Sequence, residues 1–328
     1  MKNDVALKVE NLFTHFKLKR PHIFAQEQTV YAVNDVTFEI KSGMTFGLVG
    51  ESGCGKTTTA LSVLRLVEPT AGRIYFEGKD ITRIHPRLLQ KQRRYMQIIF
   101  QDPYSSMNPR ATAGDIVAAP LTIQNIGSPT KRSEKVSELL MQVGLRPEHR
   151  ALYPHQFSGG QRQRICIARA LASGARFVVC DEPVSALDVA IQAQILNLLI
   201  RLQHQFRLTY LFISHDVGVI QHMCDEIGVM YLGNIVEKAD RRSLFKNVIH
   251  PYTQALLSAV PTVDINVKRS REHLKGDVPS PIHPPSGCPF HTRCPQTETQ
   301  CMTKKPELRK ILPDHWVACH LAGRPLKE

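Results

Sequence analysis

The rhythm of hydrophobic and polar positions changes several times along this chain. Leu7 and Val9, then Val36, Phe38 and Ile40, alternate with polar residues between positions 5 and 40, the period of half-exposed antiparallel strands. A polar, basic insertion from about Lys17 to Thr29 separates them and reads as a loop. A β-like run, Thr45-Phe46-Gly47-Leu48-Val49, and a helix-like run, Thr58 to Leu66, flank a short glycine-rich gap. Pro69-Thr70-Ala71-Gly72 turns into a strand at Ile74-Tyr75-Phe76, closed by Glu77-Gly78, and Ile98-Ile99-Phe100 is another strand, ending on Gln101. From Asp102 to about Gln156 the character changes. Turn formers cluster in Asp102-Pro103-Tyr104-Ser105-Ser106-Met107-Asn108-Pro109, and Val136, Leu139, Leu140 and Val143 then recur at helical spacing until Gly144 stops them. This stretch, about residues 102–156, reads as a helical subdomain inserted into an α/β core.

The core resumes after Ser158. Phe177-Val178-Val179-Cys180 is a continuous apolar run, as in a strand buried on both faces. A helix with Ile191, Ile195, Leu198, Leu199 and Leu202 on one face follows, then a second buried strand, Thr209 to Ile213. Val229-Met230-Tyr231 and Ile235-Val236, split by Leu232-Gly233-Asn234, resemble a terminal hairpin. Beyond His250-Pro251 the chain turns proline-rich, with Pro279, Pro281, Pro284, Pro285, Pro289 and Pro295, and has little apolar periodicity with which to build a core of its own.

The glycine-rich gap carries the first chemistry. Gly50-Glu51-Ser52-Gly53-Cys54-Gly55-Lys56-Thr57, followed by Thr58, lies between a strand and a helix, the context a phosphate-binding loop requires. Its glycines let backbone N–H groups converge on an anion, and the helix behind adds the positive end of its dipole. Lys56 is expected at the terminal phosphates and the Thr57 hydroxyl on Mg²⁺. Asp181-Glu182 follows the apolar strand at once. Beside a phosphate loop, Asp181 would hold the metal and Glu182 would orient or deprotonate a water; alone, the pair would read as an acidic helix cap. Ser158-Gly159-Gly160-Gln161, with Arg162, Arg164 and Arg169 beyond, opens a second helix. Ser158 suits an N-cap and the glycines suit a close backbone approach, so this is a second anion-binding helix end or a simple cap. Two such ends in one chain suggest that one serves the chain's own nucleotide and the other a neighbour's.

Composition narrows the setting. The 328 residues, 42% hydrophobic and 22% charged, suit one large or two smaller globular domains. No apolar run approaches the roughly 20 residues that span a bilayer, and Met1-Lys2-Asn3-Asp4-Val5 lacks the apolar core of a signal peptide. A cytosolic chain whose membrane role comes through partners is therefore expected. Its net charge is +13, but Lys and Arg are scattered, which suits a membrane surface better than nucleic acid. Eight cysteines in such a chain should be reduced unless they bind metal.

Together these residues resemble the ATP-binding subunit of an ABC transporter. Gly50 to Thr57 looks like its Walker A loop, Gln101 its Q-loop glutamine, and Ser158 to Gln161 its signature motif. Val178 to Glu182 looks like Walker B, Ser185-Ala186-Leu187-Asp188 the D-loop and His215 the switch histidine. All stand in order across about residues 5–250; Phe157 departs from the usual leucine before the signature serine. His250-Pro251-Tyr252-Thr253-Gln254-Ala255-Leu256-Leu257, the proline-rich tail and the run Gln101 to Pro109 are similar to the dipeptide/oligopeptide import ATPases, a likeness that extends over essentially the whole chain.

The resemblance implies an ABC-type P-loop NTPase fold over residues 1–250, with an antiparallel β subdomain and an inserted helical subdomain, and a cysteine-rich extension over 251–328. It implies an ATPase powering import of peptides or similar small solutes, peripheral on the cytoplasmic face of the membrane. Partners would be two permeases, a second and non-identical ATPase chain, and an extracytoplasmic solute-binding protein, with no nucleic acid. ATP would meet Gly50, Ser52, Gly53, Cys54, Gly55, Lys56, Thr57, Thr58 and Gln101, and the partner's ATP would meet Ser158, Gly159, Gly160 and Gln161. Mg²⁺ would be held by Thr57, Gln101 and Asp181; Glu182, His215 and Lys56 would support hydrolysis. Phe16, or alternatively Tyr31, would stack on adenine, and Tyr104 to Pro109 would face the permeases. Glu182 and His215 argue against a regulator without turnover. The rival reading, a soluble ABC ATPase acting on ribosomes or nucleic acid, has only the basic charge in its favour. Which solute is carried stays open among peptides, nickel, glutathione and opine-like or sugar solutes.

Cys54, Cys166, Cys180 and Cys224 read as packing residues, with the backbone N–H of Cys54 mattering more than its thiol. Cys288, Cys294, Cys301 and Cys319 share the tail, where four thiolates suit zinc or an iron–sulfur cluster; the resemblance favours a structural 4Fe–4S cluster. His250, before an amphipathic run, reads as a capping or packing residue rather than a metal ligand.

Overall fold

The computed structural model describes residues 5–18, 27–258 and 276–323; most of the basic insertion after Lys17 and part of the tail lie outside them. The chain divides into two compact units. One, here the phosphate-loop unit, holds Lys8–Glu39, Phe46–Ile74 and the chain from Ser214 on; the other, the helical unit, holds the chain up to Leu7, Ile40–Thr45 and Tyr75–Ile213.

The phosphate-loop unit begins with most of β1 (Val5–Lys17) and β2 (Thr29–Lys41). Their alternation changes phase midway. Leu7 and Val9 are buried, then Leu12 and Thr14; Val33 is buried, then Val36, Phe38 and Ile40. The break falls at Asn11 and Asp35, both at positive φ and joined by an Asn11 Nδ2 to Asp35 Oδ1 hydrogen bond of 2.7 Å. Asn and Asp tolerate that conformation better than other residues with a side chain. β3 (Thr45–Val49) is buried throughout and leads to α1 (Lys56–Val63). The helix starts two residues before the expected Thr58 because Gly55 caps it, and stops short of Leu66 because Arg65 takes φ 55°. β4 (Ala71–Phe76) lies beside β1.

In the helical unit, β5 (Lys79–Asp80) pairs with the end of β4, and α2 (Pro86–Arg93) precedes β6 (Met96–Ile99). Next come α3 (Ala113–Ile123), α4 (Pro129–Gln142) and α5 (Gly159–Ala172), which pack on one another. α4 follows the sequence pattern, burying Val136, Leu139 and Leu140 and ending at Gly144 with φ 78°. The sequence pattern does not reveal α3, which carries Pro120 and Gly114 in its interior. β7 (Phe177–Asp181), α6 (Val189–Phe206) and β8 (Thr209–Ser214) complete the unit. β7 runs parallel between β6 and β8, with Cys180 opposite Ile99 and Phe212, so its apolar run is buried on both faces. α6 buries Ile195, Leu198, Leu199 and Leu202, and its Gln203 amide donates to Gly43 O at 3.0 Å and Thr45 Oγ1 at 2.9 Å.

The chain returns to the phosphate-loop unit with α7 (Val217–Met223), β9 (Glu226–Tyr231) and β10 (Asn234–Asp240). β9 runs parallel to β3, with Val229 opposite Val49, and the expected hairpin places Ile235 opposite Met230. α8 (Arg241–Lys246), α9 (Pro251–Ser258), α10 (Thr299–Thr303), β11 (Arg309–Leu312) and β12 (His315–Val317) follow. The tail solves its shortage of apolar periodicity by borrowing a sheet: β12 pairs with β10, Ala239 opposite His315, and β11 pairs with β12. Phe290 and Val317 are its buried anchors.

Candidate nucleotide-binding site

In the phosphate-loop unit, the chain from Gly50 to Thr57 wraps back on itself. Gly55 takes φ 104°, and a Cβ there would fall on the Ala32 carbonyl, so only glycine fits. A Cβ on Gly50 would likewise meet the Met230 carbonyl. Lys56 is 5% exposed, and its Nζ donates to Gly50 O at 2.7 Å and Glu51 O at 2.9 Å. These bonds lay the side chain across the loop. Gly55 gives α1 no side-chain cap, which suits that helix end to an external anion. Ser52, Gly53 and Thr57 are exposed and Thr58 is half-buried.

Two loop amides are already used. Cys54 N–H donates to Glu51 O at 3.3 Å, and Glu51 N–H donates to the Tyr252 hydroxyl at 2.9 Å. The tightness of the turn directs the Cys54 amide to the loop's own carbonyl. Burial raises the pKa of the Cys54 thiol, only partly offset by the neighbouring Lys56 charge. The Cys54 carbonyl accepts from Gly233 N–H at 2.9 Å, and Gly233 O accepts from Asn34 N–H at 2.7 Å, so the loop rests on the β9–β10 turn and β2.

His215 belongs to this unit and is exposed, just before α7, whose cap Asp216 accepts from Gly218 N–H at 2.7 Å and Val219 N–H at 3.3 Å. Phe16 is 39% exposed near the end of β1. Tyr31 is half-buried on β2, its ring edge-on to His15 at 4.8 Å and its N–H donating to Pro281 O at 3.0 Å.

The helical unit holds the remaining motif residues. Asp181 ends β7 and is 6% exposed. Glu182 follows at φ 48°, a left-handed conformation costing a residue with a Cβ about 1–2 kcal/mol. The surroundings enforce it: Glu182 N–H donates to Ile213 O at 3.0 Å, and the Ser185 hydroxyl donates to Glu182 O at 3.1 Å. Such strain gathers where a side chain must be aimed. Gln101 is exposed just beyond β6. Ser158 caps α5 in a reciprocal box: its Oγ accepts from Gln161 N–H at 3.3 Å, and Gln161 Oε1 accepts from Ser158 N–H at 3.0 Å. The glycines between them have an internal partner. A Cβ on Gly160 would run into Ile191, and one on Gly159 would sit 3.3 Å from Leu187. The signature turn is thus packed against the 185–188 segment and the start of α6. Arg169 donates to Ser106 O at 2.6 Å, tying α5 to the run after Gln101.

Comparison with known proteins decides the family. A model of the ABC transporter family matches residues 33–185, and one of the oligopeptide/dipeptide transporter C-terminal region matches residues 236–301. The oligopeptide transport ATP-binding protein AppF of Bacillus subtilis is 48% identical over 97% of this chain and 98% of its own length. A putative peptide import ATP-binding protein of Brucella ovis is 51% identical over 91% of this chain and 94% of its own. The chain belongs to the oligopeptide/dipeptide branch of the ABC transporter ATP-binding proteins. Among solved structures, the ATP-binding cassette MJ0796, as a dimer in a post-hydrolysis state bound to ADP and Pi, superposes with a TM-score of 0.64 at 28% identity, covering 72% of this chain and 99% of that one.

The extension of this ABC ATPase reaches its phosphate loop. Arg293 Nη1 donates to Glu51 Oε2 at 2.8 Å and its Nη2 to Glu51 Oε1 at 3.2 Å. Sequence reasoning assigned no role to Arg293 or to the Tyr252 hydroxyl. Tyr252 stood in the quoted motif without a function, and Arg293 is one of 42 Lys and Arg residues, paired with a residue 242 positions away. His250 is buried, its Nδ1 accepts from Tyr252 N–H at 3.1 Å, and burial pushes its pKa down to about 4, so it is the neutral cap of α9.

The expected metal centre of this ABC ATPase finds no support. Cys288, Cys294, Cys301 and Cys319 are free thiols, and no group of three or more His, Cys, Asp or Glu side chains is placed to hold a metal among the described residues. Burial pushes the Cys288 thiol up to about 11, with further upward pressure from the other three, and burial also raises Cys294 and Cys319. No helix among the described residues is long and apolar enough to cross a membrane.

Proposed function

We propose that this ABC ATPase energises the import of peptides or similar small solutes, as one of two ATPase chains acting on a pair of transmembrane permeases. The observation that carries this reading is the 48% identity to an oligopeptide transport ATP-binding protein over 97% of the chain. The match of residues 236–301 to the transporter C-terminal region supports it independently. The second ATPase chain is related but non-identical, an extracytoplasmic binding protein delivers the solute, and the complex holds this chain at the cytoplasmic face of the membrane.

In this reading Gly50, Ser52, Gly53, Cys54, Gly55, Lys56, Thr57 and Thr58 bind the nucleotide phosphates, and Lys56 turns its ammonium to the terminal ones. Phe16 stacks on adenine, with Tyr31 the alternative. Thr57, Gln101 and Asp181 would hold Mg²⁺, which neutralises charge on the phosphates; the hydroxyl, the amide and the carboxylate at the end of β7 are oxygen donors, as a hard cation requires. Glu182 orients the attacking water and takes its proton, which the aimed conformation at φ 48° supports. His215 supports the γ-phosphate. Ser158 and the α5 helix end serve the partner chain's nucleotide. Closure of the two ATPase chains on ATP, and reopening after hydrolysis, drives the permeases. Cysteines 288, 294, 301 and 319 enter as candidate ligands of a 4Fe–4S cluster or zinc only through their shared segment and mutual charge influence.

Mass spectrometry of what co-purifies with the tagged chain, extracted from its native cell in mild detergent, tests this reading. Two permeases and a second ATPase are expected. Ribosomal proteins, or no membrane partner, would overturn it in favour of a soluble ABC ATPase.

A further inference from the structure

Glu51 is held from two sides by residues more than 200 positions away. Its carboxylate takes two hydrogen bonds from the Arg293 guanidinium, at 2.8 and 3.2 Å. Its N–H donates to the Tyr252 hydroxyl at 2.9 Å. Neither partner is a mobile surface group. The Arg293 side chain is 6% exposed, and Tyr252 is fully buried. The Tyr252 ring packs against Tyr231 at 4.7 Å and Phe290 at 5.4 Å. Arg293 sits in the turn that follows Phe290, its N–H donating to Phe290 O at 3.0 Å.

Glu51 in turn bears on Lys56. The carbonyls of Gly50 and Glu51, one on each side of the Glu51 Cα, are the oxygen acceptors of Lys56 Nζ, which also donates to Cys54 Sγ at 3.8 Å. Rotating the peptides around Glu51 would move both carbonyls and, with them, the ammonium. A two-point charge-assisted pair fixes a side chain more tightly than a single contact. The tyrosine bond fixes the backbone independently.

We propose that Arg293 and Tyr252 are positioning residues that set the conformation of the phosphate loop through Glu51, so that the C-terminal extension governs how tightly this chain holds Mg-ATP. The proposal rests on the phosphate-loop reading of Gly50 to Thr57. It assigns the extension a task at the nucleotide, beyond packing against the domain.

Titration calorimetry of the full-length chain with Mg-ATP, paired with thermal unfolding, provides the test. Arg293→Met is expected to weaken Mg-ATP binding by roughly tenfold, the factor that corresponds to about 1.4 kcal/mol. In a turnover assay KM should rise by a similar factor, with kcat changing far less. Arg293→Lys should recover only part of the affinity, because an ammonium lacks the two-pronged geometry. Glu51→Gln/Arg293→Met should bind no worse than Arg293→Met alone, since both changes break one linkage. Tyr252→Phe, which removes a single hydroxyl, should weaken binding severalfold and keeps the test decisive if Arg293→Met fails to fold.

Lys56→Ala in the same assay separates the two readings. Loss of binding in Lys56→Ala with wild-type affinity in Tyr252→Phe and Arg293→Lys overturns the proposal and leaves the phosphate loop intact. Undiminished binding in Lys56→Ala overturns the loop reading itself. A lower melting temperature with unchanged affinity in the folded protein would make the clamp structural only and also overturn the proposal.

Discussion

His315 Nε2 and Glu237 Oε1 lie 2.7 Å apart, both fully buried, joining β12 of the extension to β10. The same carboxylate accepts from Ile249 N–H at 2.9 Å and His250 N–H at 3.1 Å, so one side chain fixes both the extension and the start of α9. Leaving a buried hydrogen-bonding group without its partner costs about 1–3 kcal/mol. Glu237→Leu should therefore lower the unfolding free energy by about that much in a urea titration. A midpoint unchanged from wild type would show that the pair does not hold the extension.

The buried His250 gives stability a pH dependence. The unfolded chain takes up a proton at this imidazole near pH 6.5, the folded chain only near pH 4. Between those values the unfolded state binds more protons, so stability falls as the pH drops from 6.5 and levels off near 4. The full loss from this one group is about 3 kcal/mol. Chemical denaturation across that window should show the decline, and His250→Gln should flatten it.

Gly160 is a packing glycine within the signature turn. Gly160→Ala forces a methyl group into Ile191, an overpacking that costs about 1–3 kcal/mol. Gly159→Ala, next to the more flexible Leu187, should cost less. Ile191→Ala in the Gly160→Ala background should restore much of the lost melting temperature. An absence of rescue would refute the contact.

For hydrolysis, Glu182→Gln should retain Mg-ATP binding while turnover falls by about 10²- to 10⁴-fold, the usual worth of a general base. Full turnover in Glu182→Gln would remove its assigned role.

Metal analysis of anaerobically prepared protein addresses Cys288, Cys294, Cys301 and Cys319. Absence of both iron and zinc would remove the candidate-ligand reading of these four thiols. One cluster's iron per chain, lost in Cys288→Ser, would show that the thiols gather around a metal.

Much of this protein was legible in its sequence because the information was local. Gly50 to Thr57 announces a phosphate loop because the glycines, the lysine and the threonine each answer a requirement within a few residues of themselves. The run Phe177 to Cys180 announces a strand buried on both faces, and β7 is one. The spacing of Val136, Leu139 and Leu140 announces α4, which buries them. What remained hidden depended on residues distant in the chain. The bonds from Tyr252 and Arg293 to Glu51 leave no periodic trace, since a hydrogen bond needs only a donor and an acceptor that folding brings together. Gly160 looks from sequence like room for a ligand, and only tertiary packing shows that Ile191 occupies the space. The tail lacks an apolar rhythm because its strands complete a sheet begun elsewhere, with His315 seated on Glu237. Sequence periodicity reports the faces that elements bury, whereas partnerships between those faces arise only when the chain has closed on itself.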